Sequence, residues 1–393
     1  MPAKEDCELV TFYNIGQGLH TPSYSQKFQW LPCDVQFEAD EKVRITSYIN
    51  NLHPQGNERL CEAIEHVIQK AVPMWSETLT MVERNHRDTR IKVTSIELHE
   101  AAKRPRPPAE NESELDEDKK IGLDWMWAED IYRIVPPEPS DYAICSQQRH
   151  SIPSWAHKAD LRNDFAEQGL QIIVKLGNIH LSPDNPEYPG GSWHIEGQLN
   201  EHICASALYY YDSRNVSDSY LAFRELVDRS ALEELPYEQG QYAWIEEFSG
   251  MQNECPFIQE LGHVLTKQGR LLTFPNVFQH RVEPFRLEDP SKSGHRKVLA
   301  LFLVDPHLRI PSTSIVPPQQ KEWWQKAQDA SSIDTITRLP PGTARSFFED
   351  NSTALVDIEE AKTLRMELMT EKSAFVEDVE TPHLRTSTNF REH

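Results

Sequence analysis

Apolar residues recur at helical spacing between about 40 and 85, where Leu60, Ile64, Val67, Ile68 and Val72 fall on one face, with Pro73 near the end of the pattern. Such a stripe marks a helix laid against a core. From Lys103 to Lys120 the pattern lapses into prolines and charges, and this stretch predicts an exposed, mobile loop, with an active-site lid as the alternative. Trp125, Trp127 and Tyr132 resume ordered structure. The period then shortens. Leu170 to Leu176, Ile203 to Tyr211, Arg270 to Phe274 (after Gly269) and Arg296 to Asp305 are runs rich in β-branched and aromatic residues, which read as strands of one sheet. Beyond Asp305 the chain turns irregular through Pro306, Pro311, Pro317 and Pro318, and Trp323 and Trp324 anchor it back onto the body. Ile358, Ala361, Leu364 and Leu368 then share one face of an amphipathic helix from Asp357 to Met369, which either caps the body or pairs with a second subunit. The expected organisation is an N-terminal helical layer (1–100), a mobile loop (101–122), a β core (123–310) and a C-terminal extension with a terminal helix (311–393). The fold class is mainly β with flanking helices (α+β). No internal repeat is visible.

Composition narrows the partners. The 393 residues carry a formal charge of -22, which argues against nucleic acid, because phosphate binding needs a concentrated basic surface. No apolar run is long enough for a bilayer, and Met1 to Cys7 lacks the apolar stretch of a secretory signal. Six cysteines, at 7, 33, 61, 145, 204 and 255, are scattered without Cys-x-x-Cys spacing, as expected of reduced thiols in a cytoplasmic protein. Cys204, on a core strand, is expected to act as a small apolar residue.

The chemistry rests on His194 and Glu196, which follow the turn Gly190-Gly191. Residues two apart on an extended chain point to the same side, so both can reach one ion. The motif alone is weak: 16 His among 62 acidic residues give about two or three His-x-Asp/Glu matches by chance. A second match, His86-Arg87-Asp88, lies in a highly charged stretch that reads as solvated. His280 lies between the last two strands and can add a second imidazole. Two imidazoles and one carboxylate on one face of a metal are the ligand set of non-heme iron(II) oxygenases. His202 is expected at a turn, and His295 on the opposite face of its strand from Arg296; His150, His157, His180, His263 and His307 have no partner at ligand spacing. Arg296 opens the last strand, where an inward guanidinium calls for a carboxylate partner.

The order His194-x-Glu196, a strand ending in Tyr209-Tyr210-Tyr211, Gly269-Arg270-Leu271-Leu272-x-Phe274, His280-x-Val282-x-Pro284 and Arg296 resembles the iron(II)/2-oxoglutarate-dependent oxygenase superfamily, particularly its prolyl-hydroxylase-like branch. That match spans about 190 to 305. Ser192 to Ile203 and Asp305 to Ile310 further resemble a large fungal family of mostly uncharacterised proteins. The resemblance implies a double-stranded β-helix of the jelly-roll or cupin kind, with His194, Glu196 and His280 as ligands to Fe(II). It further implies Arg296 as the partner of the distal carboxylate of 2-oxoglutarate, and Tyr209, with Tyr211 as the fallback, as a hydrogen-bond donor to it. Arg281 and Arg286 are rivals for the arginine role. The acidic ligand is Glu where Asp is commoner, and an insertion from Leu287 to Gly294 separates His280 from Arg296. Trp193, Phe274, Phe278 and Phe302 are candidates for the pocket wall.

The function so implied is oxidation of a small molecule by O2 and 2-oxoglutarate. The expected substrate is an amino acid or amino-acid-derived intermediate of specialised metabolism, and the outcome hydroxylation or oxidative ring closure. Hydroxylation of a protein residue and a non-catalytic ligand-binding barrel are the alternatives.

Overall fold

The computed structural model describes residues 24–83, 116–131, 158–226, 252–256, 258–327, 329–350 and 355–385, with positions 106, 108, 113 and 246. It divides into one unit made of Met1–Glu83, Lys158–Phe223 and His263–Thr381, and a second of Arg84–His157, Arg224–Gly262 and Pro382–His393. His86, His150, His157 and most of the loop between 103 and 120 lie outside the described residues. Within the second unit, helix α2 (Glu117–Ile131) begins inside the segment read as loop, and Arg106 pairs with its Asp124 at 2.6 Å.

The first unit is built on a six-stranded antiparallel sheet in the order β2 (Val43–Ile45), β1 (Cys33–Phe37), β3 (Leu170–Leu181), β11 (Gly294–Val304), β5 (Ile203–Arg214), β8 (Leu271–Pro275). All four runs read from the sequence are present, and Leu299 to Val304 of the central β11 is buried on both faces. The first hundred residues depart from a purely helical layer. Besides the helix they supply β1 and β2 at the sheet edge, where Cys33 and Val35 are fully buried.

Alternation sorts the sheet's side chains into two cores. Val35, Ile172, Ala205, Ala207, Leu299, Leu301 and Leu303 face helix α1 (Glu58–Glu83), which returns Ile64, Ile68, Ala71, Val72 and Trp75 to the same cluster. Ile173, Leu208, Tyr210, Ala300, Phe302 and Val304 face the other way, toward Leu221 and Phe223 of β6 (Tyr220–Leu226) and Val282 of β9 (Gln279–Val282). Strands β6 and β9 belong with β7 (Ile258–Leu265) to a three-stranded sheet. A two-stranded ribbon pairs β4 (Glu187–Tyr188) with β10 (Phe285–Arg286). This second, inner face carries the candidate chemistry.

Helix α1 runs ten residues past Pro73, within the stretch read as helical from the sequence. A proline inside a helix costs about 3 kcal/mol. Trp75, fully buried two residues on, is worth about as much, since large aromatic to alanine changes cost about 3–5 kcal/mol. Ser76 and Thr80 also tie this half to the short helix α3 (Leu161–Asp164) and its approach, accepting hydrogen bonds from the Leu161 and Ala159 N–H groups at 3.1 and 3.0 Å. After β11, three short helices, α4 (Lys321–Lys326), α5 (Ala330–Thr337) and α6 (Thr343–Asp350), lead to α7 (Ile358–Arg385). Asp357 caps α7 by accepting from the Glu359 and Glu360 N–H groups, both at 3.0 Å.

Candidate metal centre

The centre is assembled by one backbone pairing. His194 and His280 form an isolated antiparallel bridge, with His194 N–H donating to the His280 carbonyl at 3.1 Å and His280 N–H to the His194 carbonyl at 2.9 Å. Directly opposed residues in such a pair direct their side chains to the same side. The two rings accordingly lie 4.5 Å apart. Glu196, two residues along, adds its carboxylate: Oε1 is 3.7 Å from His194 Nε2 and 3.4 Å from His280 Nε2. Three donor atoms of these residues lie within 4.8 Å of one another. Ligands at right angles around an ion at about 2.1 Å are separated by about 3 Å, so a small inward adjustment suffices.

The turns on either side fix this geometry. Gly190 and Gly197 both have positive φ, +98° and +73°, and a Cβ at Gly197 would come within 2.8 Å of Ile203 Cδ1. Asn276, buried in the turn after β8, accepts from Glu196 N–H at 2.9 Å and donates to the Glu196 and Ile203 carbonyls at 2.9 and 3.1 Å. It thus clamps the ligand strand to β5. Nothing in the sequence reading pointed to it, although a Pro-Asn turn five residues before His280 was there to be seen. Asn276→Ala is expected to destabilise the fold by about 2–4 kcal/mol, because three backbone groups lose their partner. It should also weaken metal binding about 10–100-fold. Chemical denaturation and metal titration read the two effects, and an unchanged metal affinity would remove the positioning role.

Neighbouring groups set the protonation of the three side chains. His194 Nδ1 lies 2.8 Å from the Ser192 carbonyl, which selects the tautomer that leaves Nε2 free. Burial pushes the His194 pKa down, but the Glu196 carboxylate and the Ser192 carbonyl outweigh it, and the net shift is upward. His280, 3% exposed, is shifted downward by burial, against the pull of Glu196. Burial opposes the charge on Glu196, yet the two imidazoles hold its carboxyl well below the usual range. Phe274 packs edge-on against His280 at 4.9 Å, and Phe302 is fully buried against Trp30 at 5.8 Å. Of the other wall candidates, Phe278 packs partly buried on the inner core, while Trp193 lies beneath the Arg281 guanidinium at 4.5 Å.

Arg296 points from β11 into the inner face and is 3% exposed. Its guanidinium lies 4.7 Å from the Tyr210 ring and 5.7 Å from that of Phe285. Among the described residues no carboxylate pairs with it, and its Nε has no acceptor. Burial lowers its pKa, an effect that Tyr210 and Tyr188 counter. The tyrosines expected beside it require a correction. Tyr209 and Tyr211 pack on the α1 side of the sheet, and Tyr211 meets Asn178 at 3.2 Å. Tyr210 is the one on the Arg296 face. Val298 pairs with Tyr210 and Lys297 with Asp212, so a bulge at Tyr211 shifts the side chains beyond it by one position. The rival arginines, Arg281 and Arg286, are both exposed.

Of the other histidines, His263 pairs with Glu283 at 3.1 Å and His307 with Asp305 at 2.9 Å. His202 occupies a left-handed turn position (φ 46°), and His295 bonds to Asp212 at 2.7 Å, away from Arg296. Cys33, Cys61 and Cys204 form no disulfide, and burial pushes the thiol of Cys204 far up, as suits a packing role. No helix among the described residues is long and apolar enough to cross a membrane.

Several solved structures show a remote likeness to this chain. A bsmA homolog from Methylobium petroleophilum PM1 is 12% identical, with 44% of this chain covering 52% of that one at a TM-score of 0.21. Hydroquinone 1,2-dioxygenase from Sphingomonas sp. TTNP3, with 4-hydroxybenzoate bound, is 10% identical over 36% of this chain and 64% of that one, at 0.16. The Drosophila melanogaster CENP-C cupin domain is 10% identical over 48% and 99%, also at 0.16. This chain therefore spans about half to two thirds of the length of the first two, and TM-scores this low establish no shared fold. No curated protein matches the sequence. A family model does match, over residues 3–327, and the chain belongs to the family it describes, "Protein of unknown function (DUF4246)".

Proposed function

We propose that the protein is an iron(II)- and 2-oxoglutarate-dependent oxygenase with a double-stranded β-helix core, and that it oxidises a small molecule, an amino acid or an amino-acid-derived intermediate. The observation that carries this reading is the coexistence, on the inner face, of the His194, Glu196 and His280 donor set with a buried guanidinium that lacks a carboxylate. Two imidazoles and one carboxylate suit iron(II) and leave part of its coordination sphere for other ligands. A buried cation without a counter-charge costs several kcal/mol, which a dicarboxylate bound at Arg296 would recover. The residues present therefore fit both groups.

In this reading His194, Glu196 and His280 hold the metal, and Arg296 fixes the far carboxylate of the co-substrate with Tyr210 beside it. When bound, iron(II) and 2-oxoglutarate supply the oxidising chemistry, with O2 consumed and succinate and carbon dioxide released. The protein's part is position and exclusion of water. Phe274 and Phe223 flank His280 and keep its side of the centre apolar. The test is direct: purified protein given iron(II), ascorbate and 2-oxoglutarate should release succinate slowly alone and faster with its substrate. No release with any amino acid or derivative tried would favour a binding role.

A further inference from the structure

Two lysines on the inner face have no task in the centre described above. Lys175 projects from β3 opposite Ala300, on the side where Ile173 and Phe302 lie, and its ammonium is 5.2 Å from the centre of the Trp30 ring. Lys372, on α7, brings its Nζ to 3.0 Å from the same ring centre. The ring between them is held firmly. It stacks on Phe302 at 5.8 Å, and the Trp30 backbone N–H donates to Glu201 Oε1 at 3.1 Å. Helix α7 is seated there by Phe375, 3% exposed and one turn beyond Lys372, and by the ion pair of Glu367 with Lys27. Both lysines lie close enough to the metal centre to act on it electrostatically: Lys175 on His194, and Lys372 on Glu196.

Lys372 Nζ is buried and has no hydrogen-bond acceptor among the described residues. Burial, the largest influence, lowers its pKa to about 8. The charges facing it are Glu201, Glu196 and Glu371 on one side and Lys175 on the other. None of the carboxylates satisfies it. Glu201 is engaged through Oε1 by Trp30 and through Oε2 by the Gln198 N–H at 2.6 Å, Glu196 by the two imidazoles, and Glu371 makes no ion pair with it. Two ammonium groups thus converge on one indole, one of them buried without an acceptor. Such an arrangement is costly without a ligand and favourable around an anion.

We propose that Lys175 and Lys372 form a carboxylate-binding subsite for the molecule that is oxidised, with Trp30 as its wall. The inference rests on the oxygenase reading and adds the substrate class: a small monocarboxylic acid, anchored by its acid end beside the metal, apart from the co-substrate held at Arg296. Helix α7 becomes part of the active site through Lys372.

The test uses the full chain loaded with iron(II) and 2-oxoglutarate under anaerobic conditions, titrated calorimetrically with phenylacetate, 4-phenylbutyrate and octanoate, each against its amide. At least one acid should bind ten-fold or more tighter than its amide, and Lys175→Met with Lys372→Met should erase that preference while the 2-oxoglutarate affinity stays within two-fold. Equal binding of acid and amide in all three pairs overturns the proposal. So does a preference that survives the double variant, or a ten-fold loss of 2-oxoglutarate affinity in it, which would give the lysines to the co-substrate. Failure of the unaltered protein to bind 2-oxoglutarate sinks the oxygenase reading instead, and the acid-against-amide comparison without it still decides the subsite. Lys372→Met keeps the apolar stem and removes an unpaired charge, so the ligand-free melting temperature should hold or rise. A fall of more than 5 °C would make Lys372 a structural partner of Glu201 and overturn its ligand role, with Lys175→Met, at an exposed position, checking the subsite independently.

Discussion

Replacing His280 with alanine is expected to weaken iron(II) binding by about 100-fold or more, beyond the loss caused by removing a supporting residue, and to take succinate release to background. The imidazole is buried and opposed to His194 in the backbone bridge, so no neighbouring side chain can swing into its place. His194→Ala should do the same, while His295→Ala, whose ring is engaged by Asp212, should leave iron content unchanged. The dependence on pH has a definite sign. Ligation needs both imidazoles neutral, and Glu196 raises the pKa of His194 above its ordinary value. Protons therefore compete with the metal already somewhat above pH 6.5, and affinity falls as the pH is lowered through that range. Glu196, whose carboxyl is held well below the usual range, contributes no such loss until far lower pH. Iron retained in both alanine variants, measured by metal analysis after gel filtration, would remove the assignment.

What the sequence made legible was local. The strands announce themselves because a run such as Val298 to Val304 has few residues that tolerate water, and the convergence of His194 and Glu196 because a two-residue spacing on an extended chain has one geometric consequence. His280 lies 84 positions beyond Glu196, and spacing alone says nothing across such a gap, so its place rested on its position between two strands and on the resemblance. The tyrosine carried over from the resemblance, Tyr209, lies one position from Tyr210 on the Arg296 face, and the bulge beside it leaves no trace in alternation. Asn276 and Lys372 were invisible for different reasons. The first looks like any turn residue, and the second sits in Thr370-Glu371-Lys372-Ser373, a polar stretch that hides the continuation of α7 well beyond Met369. The apolar stripe of that helix persists to Phe375, but only tertiary packing reveals what it is packed against.

Arg296→Leu is expected to raise the KM for 2-oxoglutarate about 100-fold, the equivalent of about 3 kcal/mol and in keeping with the loss of a charge-assisted, two-pronged hydrogen bond. Iron content should stay normal, because the guanidinium is not among the donor atoms grouped at His194, Glu196 and His280. Stability should move the other way. Without ligand, the wild-type protein holds a nearly fully buried cation whose Nε has no acceptor, and an apolar side chain of similar reach removes that penalty. The ligand-free variant should therefore melt at the same temperature or higher. Tyr210→Phe, which keeps the ring 4.7 Å from the guanidinium and removes only the hydroxyl, should raise the KM several-fold and leave the fold intact. Tyr209→Phe and Tyr211→Phe, on the far face of the sheet, should not change it. A variant that melts lower and binds 2-oxoglutarate normally would mean that Arg296 serves packing against Tyr210 and Phe285, and the search for the co-substrate's partner would pass to the exposed Arg281 and Arg286.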